Sequence, residues 1–119
     1  MKIKTIALAL VLVLIVCTVT SCAVSEEEIV GNWISIYDGN DGNQYEHVIT
    51  ITRSLDFAYT IYKNGKMDSA MVGDCRTDGN KVILYYYDHK KGKLEFEMEL
   101  KYKNGTLIYE NITFEKVVD

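Results

Sequence analysis

The two histidines are the residues of this chain best suited to proton transfer or metal binding. His47 precedes Ile49 and Ile51, and the period of two of a β-strand turns all three side chains to one inward face. His89 lies in a charged loop and is expected to be solvated. No carboxylate or nucleophile stands at a spacing that would pair with His47, and two unrelated histidines do not form a zinc site. The chain is therefore predicted to be non-enzymatic, with no metal and no cofactor.

The segment 38–43, which reads DGNDGN, is a candidate calcium loop because it is rich in oxygen ligands. An EF-hand loop places ligands at its first, third and fifth positions and a glutamate at its twelfth. Asp38 and Asn40 fit this spacing, but Gly42 occupies the fifth position and Ile49 the twelfth. The segment is therefore predicted to be a turn-forming loop rather than a metal site.

The elements that position these residues are predicted to be β-strands. Apolar and polar residues alternate along segments that Gly, Asn and Asp separate, which is typical of an all-β protein. Asn64-Gly65 and Asn104-Gly105 suit two-residue hairpin turns. The predicted strands are 31–37, 44–52, 57–63, 67–76, 81–88, 93–103, 106–110 and 112–117. Since the connections are short, we expect an antiparallel up-and-down meander of about eight strands that closes into a small barrel.

The register of the sixth predicted strand is strongly specified by its sequence. Residues 94, 96, 98, 100 and 102 are apolar or aromatic, and the residues between them are all charged. A slip by one residue would bury the charges, so the apolar set is expected to face the core.

The predicted barrel has one candidate pocket and one candidate contact surface. A pocket for a small apolar ligand would be lined by Trp33, Tyr45, His47, Tyr59 and Tyr86. Trp33 is also expected to plug one end of the barrel, because large aromatic side chains dominate core packing. An outward stripe for a protein partner would consist of Ile83, Tyr85 and Tyr87. Tyrosine is enriched both at binding surfaces and in strands generally, so the stripe also has a purely structural explanation.

The N-terminal segment has the composition of an export signal. Lys2 and Lys4 precede an unbroken apolar run at 6–17, a length that suits a signal peptide and is short of the roughly 20 residues of a spanning helix. Small and polar residues follow. The run Val19-Thr20-Ser21-Cys22 resembles the lipobox of bacterial lipoproteins.

This resemblance implies that residues 1–21 are a lipoprotein signal peptide and that the Cys22 thiol carries lipid, with acyl chains such as palmitate. Cys17 competes for this role, but bulky Val16 is unsuited to the position before a cleaved bond. The alternative is an ordinary secretory signal with a chance cysteine. On the lipoprotein interpretation, residues 22–28 form the lipidated cysteine and a short tether, and residues 29–119 form one domain. Glu26, Glu27 and Glu28 either begin a helical turn or belong to the solvated tether.

Charge and cysteine content limit the possible partners of the processed chain. Removal of Lys2 and Lys4 from the 13 basic residues leaves 11 against 17 acidic ones, a formal net charge of −6. This charge disfavours nucleic acid and an anionic membrane surface, so attachment to a membrane is expected to come from the lipid alone. Cys75 has no partner for a disulfide and is expected to be a small buried apolar residue.

The domain also resembles small lipocalin-like bacterial lipoproteins. The resemblance is carried by the order of four motifs, which are Gly31-Asn32-Trp33, Ile49-Thr50-Ile51-Thr52, Gly79-Asn80-Lys81-Val82 and Phe114-Glu115-Lys116-Val117. It implies a barrel that binds a small apolar ligand, although small eight-stranded barrels are also filled by their own side chains.

The sequence thus predicts a membrane-anchored lipoprotein of the cell envelope, with its domain outside the cytoplasm. Its partners would be the membrane, through the lipid on Cys22, and a small apolar ligand. The alternative is a protein-interaction module, an inhibitor or assembly factor that contacts another envelope protein through its outer strand faces.

Overall fold

The computed structural model describes residues 23–118, which form eight antiparallel strands closed into a barrel. Consecutive strands pair with one another, and the first strand also pairs with the last, so the predicted up-and-down meander is confirmed. The elements are α1 (Glu26–Ile29), β1 (Gly31–Asp38), β2 (Gln44–Ile51), β3 (Asp56–Lys63), β4 (Lys66–Asp78), β5 (Lys81–Asp88), β6 (Lys93–Lys103), β7 (Thr106–Tyr109) and β8 (Ile112–Lys116).

Two of the hairpins have the turns that their sequences predict. Asn64 and Asn104 both have φ of 52°, and Gly65 and Gly105 follow them with φ of 81° and 77°. Two successive residues with positive φ match the right-handed twist of the flanking strands, which is why Asn-Gly is favoured in such turns.

The alternation of side chains places one apolar face of β2 and of β5 inside the barrel. Ile49 and Ile51 of β2 and Val82 and Leu84 of β5 are buried in the same core. The prediction for β6 is wrong at Leu94, which is largely exposed. A register shift between Tyr86 and Tyr87 in the β5–β6 pairing interrupts the alternation there, because a bulge adds a residue to one strand.

One end of the barrel is closed by α1 and Trp33. Ser25 caps the helix in a capping box with Glu28, and Ile29 at its end is fully buried. The Trp33 side chain is 1% exposed, and its Nε1 donates a 2.9 Å hydrogen bond to the carbonyl oxygen of Ile29. Trp33 therefore plugs this end of the barrel, as the sequence predicts.

The predicted tether is shorter than expected, because residues 24–29 pack on the barrel. Val24 is buried, and its backbone N–H donates a 2.9 Å hydrogen bond to the carbonyl oxygen of Gly79. Glu26, Glu27 and Glu28 form the helical turn rather than a solvated spacer. Only Ala23 lies between Val24 and the predicted lipidation site, Cys22. The start of the folded domain is therefore at the end of the barrel that Trp33 closes.

The barrel is split along part of the seam between β4 and β5. β3 pairs with β4 from Lys66 to Asp74, whereas β5 pairs with β4 only from Asp74 to Asp78. Within the described part of the chain, residues 66–73 of β4 thus have a paired strand on one side only. A side chain on Gly73 would clash with the Tyr85 carbonyl oxygen and would lie 2.7 Å from Cε1 of Phe57, so glycine permits the close contact at the start of the split.

The predicted signal peptide, residues 1–21, and the predicted lipidation site, Cys22, lie outside the described residues. Between residues 23 and 118, no helix is long and apolar enough to cross a membrane.

Candidate ligand-binding site

Three polar side chains form a hydrogen-bonded chain near the end of the barrel opposite Trp33. The Tyr37 hydroxyl oxygen lies 2.9 Å from Nε2 of His47, and the Tyr59 hydroxyl oxygen lies 2.5 Å from Nδ1 of the same ring. β1, β2 and β3 are consecutive neighbours, and His47 is diagonal to Tyr37 and to Tyr59 in the two pairings. Diagonal neighbours on one face of a sheet are within reach of aromatic side chains, so the register itself brings these three groups together. We call Tyr37, His47 and Tyr59 the triad.

Burial favours the uncharged forms of His47 and Tyr59. His47 is 7% exposed, and burial lowers the pKa of its ring below the ordinary value of 6.5. Burial likewise raises the pKa of Tyr59 to about 12. Phe114 presents an apolar ring to both, with centroids 6.3 Å from His47 and 6.2 Å from Tyr59. At neutral pH His47 and Tyr59 are therefore neutral hydrogen-bonding groups.

Tyr45 extends this cluster to the rim of the barrel. Its ring stacks on Tyr37 at 5.6 Å, and its hydroxyl donates to a carboxylate oxygen of Asp41 at 2.5 Å. The other Asp41 oxygen accepts from the backbone N–H of Asn43 at 3.0 Å. These hydrogen bonds, that from Tyr45 first, lower the pKa of Asp41 to about 2. The Asp41 carboxylate thus stabilises the turn at 38–43, as expected for a turn-forming loop.

A cavity of about 250 Å³, which is open to solvent on the side of exposed Ser69 and Met71, lies beside the triad. It is bounded by β3, β4, β6 and the end of β7, next to the split seam. Its walls are Tyr59, Ile61, Ser69, Ala70, Met71, Phe96, Glu97, Met98 and Tyr109. Most of this wall is apolar, Glu97 is its charged member, and Tyr59 belongs to both the wall and the triad. The arrangement suits an apolar molecule that contacts a hydroxyl group at one side.

The five predicted pocket residues do not form one pocket. Tyr59 lines the cavity. His47 forms a hydrogen bond with the Tyr59 hydroxyl but is not part of the cavity wall. Tyr45 lies at the rim, and Trp33 belongs to the closed end. Tyr86 is 42% exposed, because the strands part at the seam just where it follows the last β4–β5 pair. Tyr86 therefore lines an outer groove with Tyr87 rather than the cavity.

The predicted contact stripe is not a continuous exposed surface. Ile83 is 2% exposed, although it stays outside the core cluster of the barrel. Its cross-strand partners are Arg76 and Glu99, and long side chains on both sides of a β-branched residue leave it little access to solvent. Tyr85 is half-buried and lies under the guanidinium of Arg76, 6.0 Å from the ring centroid. Of the three residues, only Tyr87 is largely exposed.

A group of exposed apolar side chains lies at the split seam instead. Its members share the region where β4 leaves β5, and they are Met67, Met71, Val72, Tyr86, Tyr87 and Leu94. Sequence reasoning missed this surface because the split depends on pairing across the barrel and not on the alternation within a strand. Tyr37 was missed for a simpler reason: the period of two from Trp33 through Ser35 places it on the same face of the sheet, where its partly exposed ring lies at the rim of the barrel, and this signal was available in the sequence.

Comparison of this chain with protein-family models, with curated proteins and with solved structures finds no match. Among residues 23–118, no three His, Cys, Asp or Glu side chains are close enough to hold a metal ion. The cavity and the triad are therefore the features of the described residues that bear on function.

Proposed function

We propose that this protein is a non-enzymatic lipoprotein of the cell envelope that binds a small apolar ligand in the cavity beside the triad. The observation that carries the proposal is the apolar wall of that cavity, to which Ile61, Met71, Phe96 and Met98 contribute. An apolar ligand that displaces water from such a wall gains roughly 25 cal/mol for each Å² of apolar surface that it covers.

The size of the cavity limits the ligand. At about 250 Å³ it is smaller than the roughly 300–1,000 Å³ of pockets that enclose drug-sized molecules. It would therefore take a short apolar chain or a single ring rather than a complete membrane lipid. Because the cavity lies next to the split between β4 and β5, a longer molecule would extend through the seam.

The position of Val24 supports an anchor beneath the closed end of the barrel. Two residue steps join Val24 to Cys22, and they span at most about 7 Å when fully extended. A lipid on Cys22 would thus hold the Trp33 end close to the bilayer, and the triad would face away from it. The formal charge of −6 gives the domain no attraction of its own to an anionic surface, so the lipid would be the only anchor.

The anchor is tested by the mass and location of the Cys22→Ala variant. We expect the wild-type protein to remain with the membrane pellet and to show a mass that fits cleavage before Cys22 plus acyl chains. The variant should lose the acyl mass and become extractable by salt or remain unprocessed. A wild-type protein whose mass lacks lipid would refute the anchor.

The ligand is tested by native mass spectrometry of the protein purified from membranes in mild detergent. We expect a bound species of low mass that dissociates when the protein is denatured. As a matched pair, Met71→Asp places a charge in the cavity wall, and Asp68→Asn alters an exposed neighbour on the same strand. Loss of the species from the first variant alone would support the cavity as its site, and equal retention in both would contradict it.

The second candidate is a protein-interaction module, and the open edge of β4 favours it. Residues 66–73 offer backbone groups on the side away from β3, and Met67 and Val72 there are about two-thirds exposed. Such an edge accepts an extended strand, with main-chain hydrogen bonds that supply affinity for many sequences. The contact surface would then be the seam rather than the stripe of Ile83, Tyr85 and Tyr87.

A model peptide of alternating valine and threonine tests this second candidate. We expect it to slow amide hydrogen exchange in residues 66–73, and Val72→Lys should weaken the effect. Val48→Lys is the control, because Val48 is an outward-facing valine of β2 that pairs with Ile34 of β1 and with Thr60 of β3. Unchanged exchange in residues 66–73 would exclude the edge as a strand-binding site.

A further inference from the structure

The triad has one more hydrogen-bond donor than its two internal hydrogen bonds need. The neutral ring of His47 has one N–H, and the hydroxyls of Tyr37 and Tyr59 have one O–H each, which makes three donors. The two contacts at 2.9 Å and 2.5 Å each need one donor. In either tautomer of His47, one tyrosine donates to the ring and the other accepts from it. The accepting tyrosine keeps its own proton for a partner outside the triad.

Which tyrosine keeps the free proton depends on the tautomer of His47. With the proton on Nδ1, the ring donates to Tyr59 and accepts from Tyr37, so the free O–H is on Tyr59. With the proton on Nε2, the free O–H is on Tyr37. Of the three triad residues, Tyr59 is the one that lines the cavity. An acceptor atom inside the cavity is therefore served by the Nδ1–H tautomer.

We propose that the ligand of this cavity is an uncharged molecule with a short apolar body and one hydrogen-bond acceptor, such as an ester or ketone carbonyl, which accepts the O–H of Tyr59 and fixes His47 as the Nδ1–H tautomer. The proposal rests on the proposed function, because it names the chemical class of ligand for the same cavity. It extends that function by assigning Tyr59 as the residue that selects the polar group.

The charges around the cavity exclude a carboxylate head group. Glu97 lies in the wall and would repel an anion, and none of the described wall residues is basic. His47 is uncharged at neutral pH, because burial lowers its pKa. An anion in this cavity would lose its hydration and gain only neutral donors, which is unfavourable in an apolar site. A carbonyl loses much less hydration and still accepts the tyrosine proton.

Three compounds of equal carbon count test this selectivity, namely heptane, methyl hexanoate and heptanoate. Each is titrated against the wild-type protein at neutral pH in competition with a fluorescent phenylnaphthylamine probe. We expect both heptane and methyl hexanoate to bind, and we expect removal of the Tyr59 hydroxyl to weaken only the binding of methyl hexanoate, by about three- to tenfold, which is the range of one neutral hydrogen bond. Heptanoate should be the weakest of the three.

The Tyr59→Phe variant identifies the donor, and Tyr102→Phe is its control. Tyr102 is a partly buried tyrosine at the closed end, where its ring lies edge-on to Trp33 at 6.5 Å. Tyr59→Phe should bind heptane as the wild type does and should bind methyl hexanoate about three- to tenfold more weakly, whereas Tyr102→Phe should bind both compounds as the wild type does. If all three compounds fail to bind, the proposed function is wrong. If both compounds bind to the wild type and Tyr59→Phe leaves the affinity for methyl hexanoate unchanged, only this inference is wrong.

The tautomer of His47 distinguishes a ligand-binding role of Tyr59 from a purely structural one. A purely structural role would leave the tautomer unchanged when the ester binds. The chain has only two histidines, so the ring nitrogens of His47 are easily assigned by ¹⁵N NMR against those of exposed His89. Saturation with methyl hexanoate should shift His47 toward the Nδ1–H form, and heptane should not. A His47 spectrum that methyl hexanoate leaves unchanged, or shifts toward the Nε2–H form, would overturn the assignment.

Discussion

The indole Nε1 of Trp33 donates its hydrogen bond to the carbonyl oxygen of Ile29, and this contact joins the entering chain to the closed end of the barrel. Lys116 completes the closure, since its Nζ lies 5.8 Å from the Trp33 ring centroid and donates to the carbonyl oxygen of Glu28 at 3.2 Å. The segment that sequence patterns assign to a tether is therefore part of the folded domain.

This closure predicts that Ile29→Ala destabilises the protein. Ile29 is fully buried in the core, and truncation of such a side chain to alanine costs about 2–5 kcal/mol. Glu27→Ala, at an exposed position of the same helix, should change the free energy of unfolding by no more than about 0.5 kcal/mol. Urea titration followed by the fluorescence of Trp33, the only tryptophan, measures both. Equal stabilities would mean that residues 24–29 are not packed on the barrel.

His47 predicts a loss of stability in mildly acidic solution. Burial lowers the pKa of His47 in the folded protein below the ordinary value of 6.5. His47 therefore binds a proton at a higher pH in the unfolded chain than in the folded protein. The contribution of His47 to the free energy of unfolding is fully present above about pH 6.5. It is lost as the pH falls toward the pKa of His47 in the folded protein. The melting temperature should therefore fall over this range, and less so in His47→Gln. His89→Gln should keep the wild-type profile, and a profile that is the same in all three proteins would contradict the burial of His47.

Gly73 predicts a cost for any added side chain at the start of the split seam. In Gly73→Ala the new methyl group meets the Tyr85 carbonyl oxygen and the Phe57 ring, and overpacking of this kind costs about 1–3 kcal/mol. Ser69→Ala, at an exposed position of the same strand, should have little effect. Chemical denaturation of the two variants compares them directly, and an undiminished stability of Gly73→Ala would show that β4 and β5 are not in close contact there.

The cysteines predict a specific count of reactive thiols. Cys75 is buried, and burial, with a smaller effect of Glu26, raises the pKa of its thiol to about 11. The thiolate is the reactive form, so Cys75 should resist a disulfide reagent at about pH 8 until the protein unfolds. If processing removes Cys17 and lipid blocks Cys22, the native protein should show no reactive thiol and the denatured protein one. Two thiols after denaturation would indicate that Cys22 is unmodified.

The barrel could be predicted from the sequence because its causes are local. Alternation sets the inward face of each strand, and Asn64-Gly65 and Asn104-Gly105 set two of the hairpins. The split seam could not be predicted in this way, since it depends on how far β4 and β5 remain paired across the barrel. Tyr86 is exposed because the two strands separate there, and Ile83 is buried because long side chains of neighbouring strands cover it. Neither cause can be read from the pattern within β5.

The candidate site was predictable only in part, for the same reason. The period of two places His47 inside, but its contacts with Tyr37 and Tyr59 require the register between three strands. The cavity itself is formed by residues of four strands, and Ser69, Phe96 and Tyr109 meet there only after the barrel has closed.

Titration of the protein with the phenylnaphthylamine probe tests the central claim most directly, with Ser69→Trp and Thr113→Trp as matched variants. Ser69 lines the cavity and is exposed enough to accept a larger side chain, whereas Thr113 is an exposed residue of β8 outside the cavity wall. We expect saturable binding to the wild type, unchanged affinity in Thr113→Trp, and affinity reduced by about tenfold or more in Ser69→Trp, a change of at least about 1.4 kcal/mol. Absence of saturable binding, or equal binding by both variants, would contradict a ligand site in the cavity beside the triad.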